Sequence, residues 1–163
     1  MAIARTLINY LEDRGVDYQL IEHAHTPTSV ASAHASHLPA HQVAKAVVLC
    51  DDSGYVISVL PANHSLEIGW VNEELDRKLE MACEDEFKKL FGDCETGAVP
   101  ALGEAYGLQV IWDDELAYTS DVYIEAGDHT HLIWLERREF RKLMKDLPHT
   151  IISKDGEVGN WKY

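Results

Sequence analysis

Cysteine is scarce in this chain of 163 residues: Cys50, Cys83 and Cys94 are an odd number at wide spacings. They supply neither a disulfide framework nor a Cys-x-x-Cys metal knuckle, and they fit a reducing compartment. Positive charge is also in short supply, with 14 Lys and Arg against 28 Asp and Glu, a formal charge of −14. Phosphate contacts need cations, so broad attraction to nucleic acid is excluded and any such contact has to be local. No apolar run is long enough to span a bilayer, and the opening Met1-Ala2-Ile3-Ala4-Arg5 lacks the basic-then-apolar layout of a signal peptide. A cytoplasmic protein without a membrane partner is the expectation. Repeats and low-complexity tracts are missing too.

What is present is ample apolar matter, 46% of the residues, enough for a single core. Ile3, Leu7, Tyr10 and Leu11 recur at helical spacing before Gly15, which predicts a helix over residues 2–14. Val16, Tyr18 and Leu20 alternate as a strand that runs into His23 and His25, and Pro27 ends it. Thr28 or Ser29 can cap a short helix that closes at Leu38-Pro39. The runs 43–50 and 55–60 flank a polar turn ending in Gly54, a hairpin signal. A helix capped by Asn72 carries Leu75 and Leu79, followed by a short extended stretch to Ala82. A second helix carries Phe87, Leu90 and Phe91, with Glu84, Asp85 and Glu86 in its first turn. Three strand-like runs follow at 108–112, 121–125 and 130–135, then a basic helix with Phe140, Leu143 and Leu147 that Pro148 stops. Hairpins and crossovers in mixed order predict an α+β fold, a mixed, curved sheet with surrounding helices. Residues 1–147 read as the domain and 148–163 as a weak or irregular C-terminal tail.

Two features invite a chemical reading. Lys45 interrupts the apolar strand Val43-Ala44-Lys45-Ala46-Val47-Val48, sharing a face with Val43, Val47 and Leu49. Either its stem covers apolar surface and the head reaches water, or the head lines a cavity, where desolvation lowers its pKa. The stretch Asp93-Cys94-Glu95-Thr96-Gly97-Ala98-Val99-Pro100-Ala101-Leu102-Gly103 is bent by its glycines and stiffened by Pro100. It reads as a structural turn or as a cluster of amides around a small ligand.

The histidine pairs His23-x-His25 and His129-x-His131 each put two imidazoles on one strand face, and with Cys94 or Asp128 they offer a metal reading. No second signature supports ligation, so no metal or other cofactor is expected. Cys94 has no partner base nearby in sequence, which favours an incidental thiol over a nucleophile. Arg137, Arg138, Arg141, Lys142 and Lys145 gather five of the fourteen basic residues into nine positions, a solvated helix face or a local nucleic-acid contact. The four tryptophans read as core or surface anchors, because no basic residues interleave with them.

Five segments together resemble the YbaK family. They are the strand around Lys45, Val59-Leu60-Pro61-Ala62, the 93–103 loop, Tyr106-Gly107-Leu108-Gln109-Val110 and Ala126-Gly127-Asp128-His129-Thr130, in family order and with family-like spacing over residues 2–147. That family includes freestanding aminoacyl-tRNA deacylases and is related to the editing domain inserted in bacterial prolyl-tRNA synthetases. The resemblance implies hydrolysis of a mischarged aminoacyl ester at the 3′ end of a tRNA, with an aminoacyl-tRNA synthetase as a further partner. It makes Lys45 and Gly97 the catalytic candidates and puts Thr28, Ala98, Val99, Pro100, Ala101, Gly127 and His129 around the substrate. The proline of the family's Gly-x-x-x-Pro loop would fall at position 101, where this chain has Ala101, with Pro100 one place earlier. The alternatives are a noncatalytic module that binds a small ligand, aminoacyl-tRNA or a synthetase, and, behind it, a His-ligated metal enzyme.

Overall fold

The computed structural model describes residues 3–156. In chain order the elements are α1 (Arg5–Asp13), β1 (Gln19–Glu22), α2 (Ser29–Ala35), β2 (Val43–Asp51), β3 (Gly54–Pro61), β4 (His64–Leu66) and α3 (Ile68–Leu75). Then come β5 (Glu80–Met81), α4 (Glu84–Phe87), β6 (Gln109–Asp113), β7 (Asp121–Glu125), β8 (His131–Glu136), α5 (Arg137–Met144), β9 (His149–Thr150) and β10 (Ser153–Asp155). Single turns of tighter helix fill Lys88–Phe91, Gly103–Tyr106 and Asp114–Ala117.

One sheet runs β1-β8-β7-β2-β3-β6-β9, with β5 added against β2, and β4 pairs with β10 apart from it. It is mixed: β2 is antiparallel to β3 and parallel to β7, while β6 is parallel to both β3 and β9. The α+β expectation holds, and so does the hairpin, whose turn is fastened by the Ser53 amide donating to Asp51 Oδ1 at 2.8 Å.

Strand alternation divides the apolar residues between the two faces. Ala44, Val48, Ile57, Val59, Ile124 and Ile133 face the main core, which also takes Leu7 and Leu11 of α1 and Phe140 and Leu143 of α5. The second face carries two smaller clusters. Val43, Tyr123 and Leu132 pack under Ala33 of α2, and Leu49, Val56 and Ile111 pack under Val71 of α3. Lys45 and its hairpin partner Leu60 lie between those two clusters on the second face.

Several boundaries differ from the sequence expectation. Asn72 is inside α3, which starts at Ile68 and ends where Asp76 turns left-handed at φ 52°. Its amide instead clasps the Leu79 backbone, accepting from the nitrogen at 2.8 Å and donating to the oxygen at 3.2 Å. The helix expected over Phe87–Phe91 is a short α-turn that tightens after Phe87. α2 stops at Ala35, before Leu38-Pro39. The segment after Pro148 contributes β9 and β10, because buried Asp113 holds it: Oδ2 accepts from the Ile152 amide at 2.9 Å and from the Ser153 hydroxyl at 2.6 Å. The expected start of the first helix at residue 2 and the end of the tail fall outside the described residues.

Candidate functional site

The turn between β7 and β8 holds two residues at positive φ. Gly127 has φ 100° and His129 φ 62°, the latter a left-handed conformation that costs a side-chain-bearing residue ~1–2 kcal/mol. Buried Glu125 offsets that cost, since its Oε1 accepts from the Gly127 amide at 3.2 Å and the His129 amide at 3.0 Å. Asp128 secures the far side through the Thr130 and His131 amides and the His131 ring. Burial pushes the Glu125 carboxyl above the ordinary carboxylate range, against the lowering effect of the amides it accepts.

The 93–103 loop comes to this turn. The Glu95 amide donates to the Gly127 carbonyl at 2.7 Å, and His129 Nε2 lies 2.7 Å from the Thr96 carbonyl oxygen. A carbonyl only accepts, so Nε2 carries the proton and Nδ1 of the neutral ring is left as an acceptor. A Cβ on Gly97 would sit 3.6 Å from the His129 ring, and the glycine's φ of 83° calls for glycine on backbone grounds. A Cβ on Gly127 would come within 2.9 Å of Ala4 and 3.1 Å of the Cys94 sulfur, so here close approach excludes any larger residue.

The third wall is the segment before α2. The Thr26 amide donates to the His129 carbonyl at 3.1 Å, the Thr26 and Ser32 hydroxyls are 2.6 Å apart, and the His25 ring is 5.1 Å from that of His129. His25, Pro27, Glu95, Thr96 and His129 line an open groove of about 590 Å³, within the usual size of small-molecule sites. Behind the loop, Glu84, Phe87, Phe91, Gly97 and Val99 line a smaller hollow of about 170 Å³.

The expected site residues divide into groups. Of the three turn residues His129 lines the groove, Gly97 packs against its ring from the smaller hollow, and Gly127 lies behind them against Ala4 and Cys94. The Thr28 hydroxyl caps α2 by accepting from the Ala31 amide at 3.1 Å, and the groove is lined instead by its neighbour Pro27. Ala98, Pro100 and Ala101 are buried, and Ala101 packs in the main core. The Ala98 amide is already committed to the Glu95 carbonyl at 3.0 Å. Among the described residues the amides of Gly97 and Val99 make no hydrogen bond.

Lys45 stands apart from the groove lining. Its side chain leaves β2 on the second face, whereas Ala101 and Leu102 pack on the first. Burial lowers its pKa, and among the described residues no hydrogen bond or ion pair engages its ammonium. The last rungs between β2 and β7 are Val43–Tyr123 and Ala44–Ile124. One step further come Lys45 and Glu125, so the residue that supports the His129 turn follows the same ladder. Nearby on that face the Ser58 hydroxyl, opposite Val47, is buried without a partner.

Sequence reasoning missed Glu125 and Ser32. A carboxylate closing an apolar strand immediately before Ala-Gly-Asp was the available signal. The four histidines of the metal reading are engaged separately: His23 with the Ala24 carbonyl, His25 against His129, and His131 with Asp128 and Glu22. Among the described residues no three His, Cys, Asp or Glu side chains are grouped to hold a metal ion. Cys94 is half-buried beside the Tyr106 hydroxyl at 3.3 Å, and burial pushes its thiol up to about 11.

A family model described as the aminoacyl-tRNA editing domain matches residues 23–143, which include α2, the loop, the His129 turn and most of α5. The chain belongs to that family. No curated protein matches this editing domain at a significant level. Among solved structures, hypothetical protein APE2540 superposes with a TM-score of 0.81 at 20% identity, over 92% of this chain and 100% of that one. A candidate trans-editing enzyme for prolyl tRNA synthetase gives 0.80 at 22% identity, over 93% and 96%. A candidate signal transduction protein from Marinobacter aquaeolei VT8 gives 0.74 at 18% identity, over 95% of the editing domain but 31% of its own chain. At these identities the likenesses show the fold.

Proposed function

We propose that the chain is a trans-editing deacylase that hydrolyses the ester between a wrongly attached amino acid and the terminal ribose of a tRNA, within residues 1–147 and without a metal or cofactor. The observation that carries this reading is the seating of His129 against the Gly97 bend, in a strained backbone that Glu125 supports. Strain of this kind concentrates at functional sites. The strands after Pro148 brace β6 and β4 and contribute no residue to the groove.

An aminoacyl ester is already activated, so placement and carbonyl polarisation supply much of the rate. The free amides of Gly97 and Val99 receive the developing oxyanion. Lys45, a half-buried cation whose ammonium no described residue engages, anchors the carbonyl or the adjacent phosphate. Nδ1 of His129 accepts a hydrogen bond from the attacking water or from a ribose hydroxyl. Water adds to the ester carbon, the carbon–ribose oxygen bond breaks, and the ribose oxygen takes a proton, leaving free amino acid and tRNA.

Among the described residues no helix is long and apolar enough to cross a membrane, in keeping with a cytoplasmic site of action on aminoacyl-tRNA, alone or beside a synthetase. Time-resolved release of amino acid from Ala-, Ser-, Thr- and Cys-charged tRNA tests the reading. Turnover of at least one supports it. Binding without release from any of them turns the assignment to a noncatalytic module, a reading that the unengaged Lys45 ammonium and the displaced proline also fit.

A further inference from the structure

α5 and the Lys145 that follows it place four cations on a single stripe. Arg138, Arg141, Lys142 and Lys145 are spaced i, i+3, i+4 and i+7 and are all exposed, while Glu139, Phe140, Leu143 and Met144 on the opposite side are buried. Packing determines this: the apolar side enters the main core, so the cations are held outward by the same contacts that hold the helix. The stripe is about 10 Å long at helical rise. Nine consecutive positions hold five cations and one acid in a chain whose formal charge is −14.

Beside the stripe is a surface that the same residues build. Arg137 Nε donates to the Thr119 carbonyl at 2.8 Å and its terminal nitrogen to the Tyr118 carbonyl at 3.1 Å, and Arg141 donates to the Ala117 carbonyl at 3.0 Å. Those bonds use carbonyls rather than carboxylates and leave both guanidinium charges unneutralised. They also fix Tyr118, which is 73% exposed, next to the cations. Arg137, Arg138 and Arg141 line an open groove there together with Ser120, Asp121 and Glu136. Asp121 is occupied by the Trp134 ring nitrogen and the Ser120 hydroxyl. Buried Glu139 pairs with Lys142 and Arg138 from beneath, and Glu136 is 3.9 Å from Arg138. Among the described residues Arg141 and Lys145 pair with no carboxylate.

We propose that this stripe, with Tyr118 at its edge, docks the phosphate backbone of the acceptor stem of the substrate tRNA. The proposal rests on the deacylase reading above and adds where the nucleic acid lies. A row of cations matches a row of phosphates, and an exposed aromatic ring offers a stacking face to an unpaired base. The stripe begins at the Asp121–Glu136 rung of the β7–β8 hairpin and the groove lies at its other end, beyond Glu125, roughly 13 Å away along β7. That gap is one that the single-stranded 3′ end can cross. It also accounts for how a strongly acidic protein holds a polyanion: repulsion from acidic surface elsewhere favours approach of the duplex to this basic strip.

Two variants test the surface without removing Lys142 from Glu139: Arg138→Ala combined with Lys145→Glu, and Tyr118→Ala. The readouts are affinity of the full-length protein for uncharged tRNA across a salt series, and kcat/KM for charged tRNA relative to kcat/KM for an aminoacyl-adenosine. The double variant is expected to weaken tRNA binding at least about tenfold, to flatten the salt slope by about 1 to 2, and to reduce the relative kcat/KM by a similar factor. Tyr118→Ala is expected to weaken binding with little change in slope. Unchanged tRNA affinity in both variants, with binding to polyglutamate lost instead, overturns the proposal in favour of an acidic protein partner. Equal losses on the two substrates overturn it as well. Wild-type protein that binds tRNA through these residues yet hydrolyses neither substrate overturns the deacylase reading and leaves the surface standing.

Discussion

His129 donates through Nε2 to the Thr96 carbonyl at 2.7 Å while its own amide donates to Glu125 at 3.0 Å. One residue therefore ties the glycine loop to the end of β7, and its ring orientation and tautomer follow from that double attachment. Replacing it separates chemistry from backbone strain. His129→Gly suits a φ of 62° and His129→Ala does not, so Ala is expected to be less stable than Gly by ~1 kcal/mol. Both are expected to lose at least about tenfold in kcat on mischarged tRNA. Thermal unfolding and single-turnover deacylation read the two effects; full activity in the Gly variant removes the ring from the mechanism.

Glu125 is expected to act as a positioning residue. Glu125→Ala leaves two buried amides without an acceptor, a loss of ~2–3 kcal/mol, and the His129 turn relaxes so that kcat falls more than KM rises. Glu125→Gln keeps an acceptor and should rescue most of the activity.

The same pair gives a pH test. The folded-state pKa of Glu125 is raised above 4.5, so in the wild type its contribution to stability is present below that value and is lost as pH rises through the folded pKa. Glu125→Gln should lack that decline. Chemical denaturation from pH 4 upward compares the slopes, and identical slopes would show that the carboxyl is not desolvated.

Lys45→Ala is expected to cut deacylation at least about tenfold while leaving the fold intact. Burial lowers the lysine pKa, so its charge is lost at a pH below the ordinary 10.5, and the desolvation cost is relieved as pH rises through the folded value. Activity that depends on the ammonium should therefore fall on the alkaline side earlier than a free lysine would predict. Lys45→Met should be more stable than wild type at neutral pH, because it keeps the stem and discards the buried charge. Unchanged turnover by the Ala variant across several charged tRNAs would falsify the role given to Lys45.

Cys94 is expected to be dispensable. Its thiol, pushed up to about 11, stays protonated at neutral pH, and Cys94→Ala should keep turnover within about twofold. Alkylation kinetics on the wild type offer the parallel check: rapid loss of activity on modification of this residue at neutral pH contradicts a protonated, half-buried thiol.

Much of this protein was legible from local pattern. The apolar alternation of 43–50 and 55–60 with Gly54 between them specified an antiparallel hairpin, and Thr28 capped the helix expected of it. The spacing of Phe140 and Leu143 put α5 in place with its cations outward. These features depend on neighbours within a few residues, where period and capping chemistry suffice. Asn72 was misread as a cap for the same reason, since a cap and a side-chain clasp on Leu79 look alike until the chain has turned back.

Tertiary structure alone decided the rest. Strand parity could state that Lys45 faces away from Ala44, but not that the loop's Ala101 would pack on the opposite face while Gly97 reached His129. Nor could it pair β2 with β7 and so bring Glu125 to the rung after Ala44. Those relations join residues far apart in the chain, and their free energy comes from burying apolar surface and satisfying amides that only exist together once the sheet has closed. The residue types at the groove were written in the sequence; which of their hydrogen bonds remain free for a ligand was settled by the packing around them.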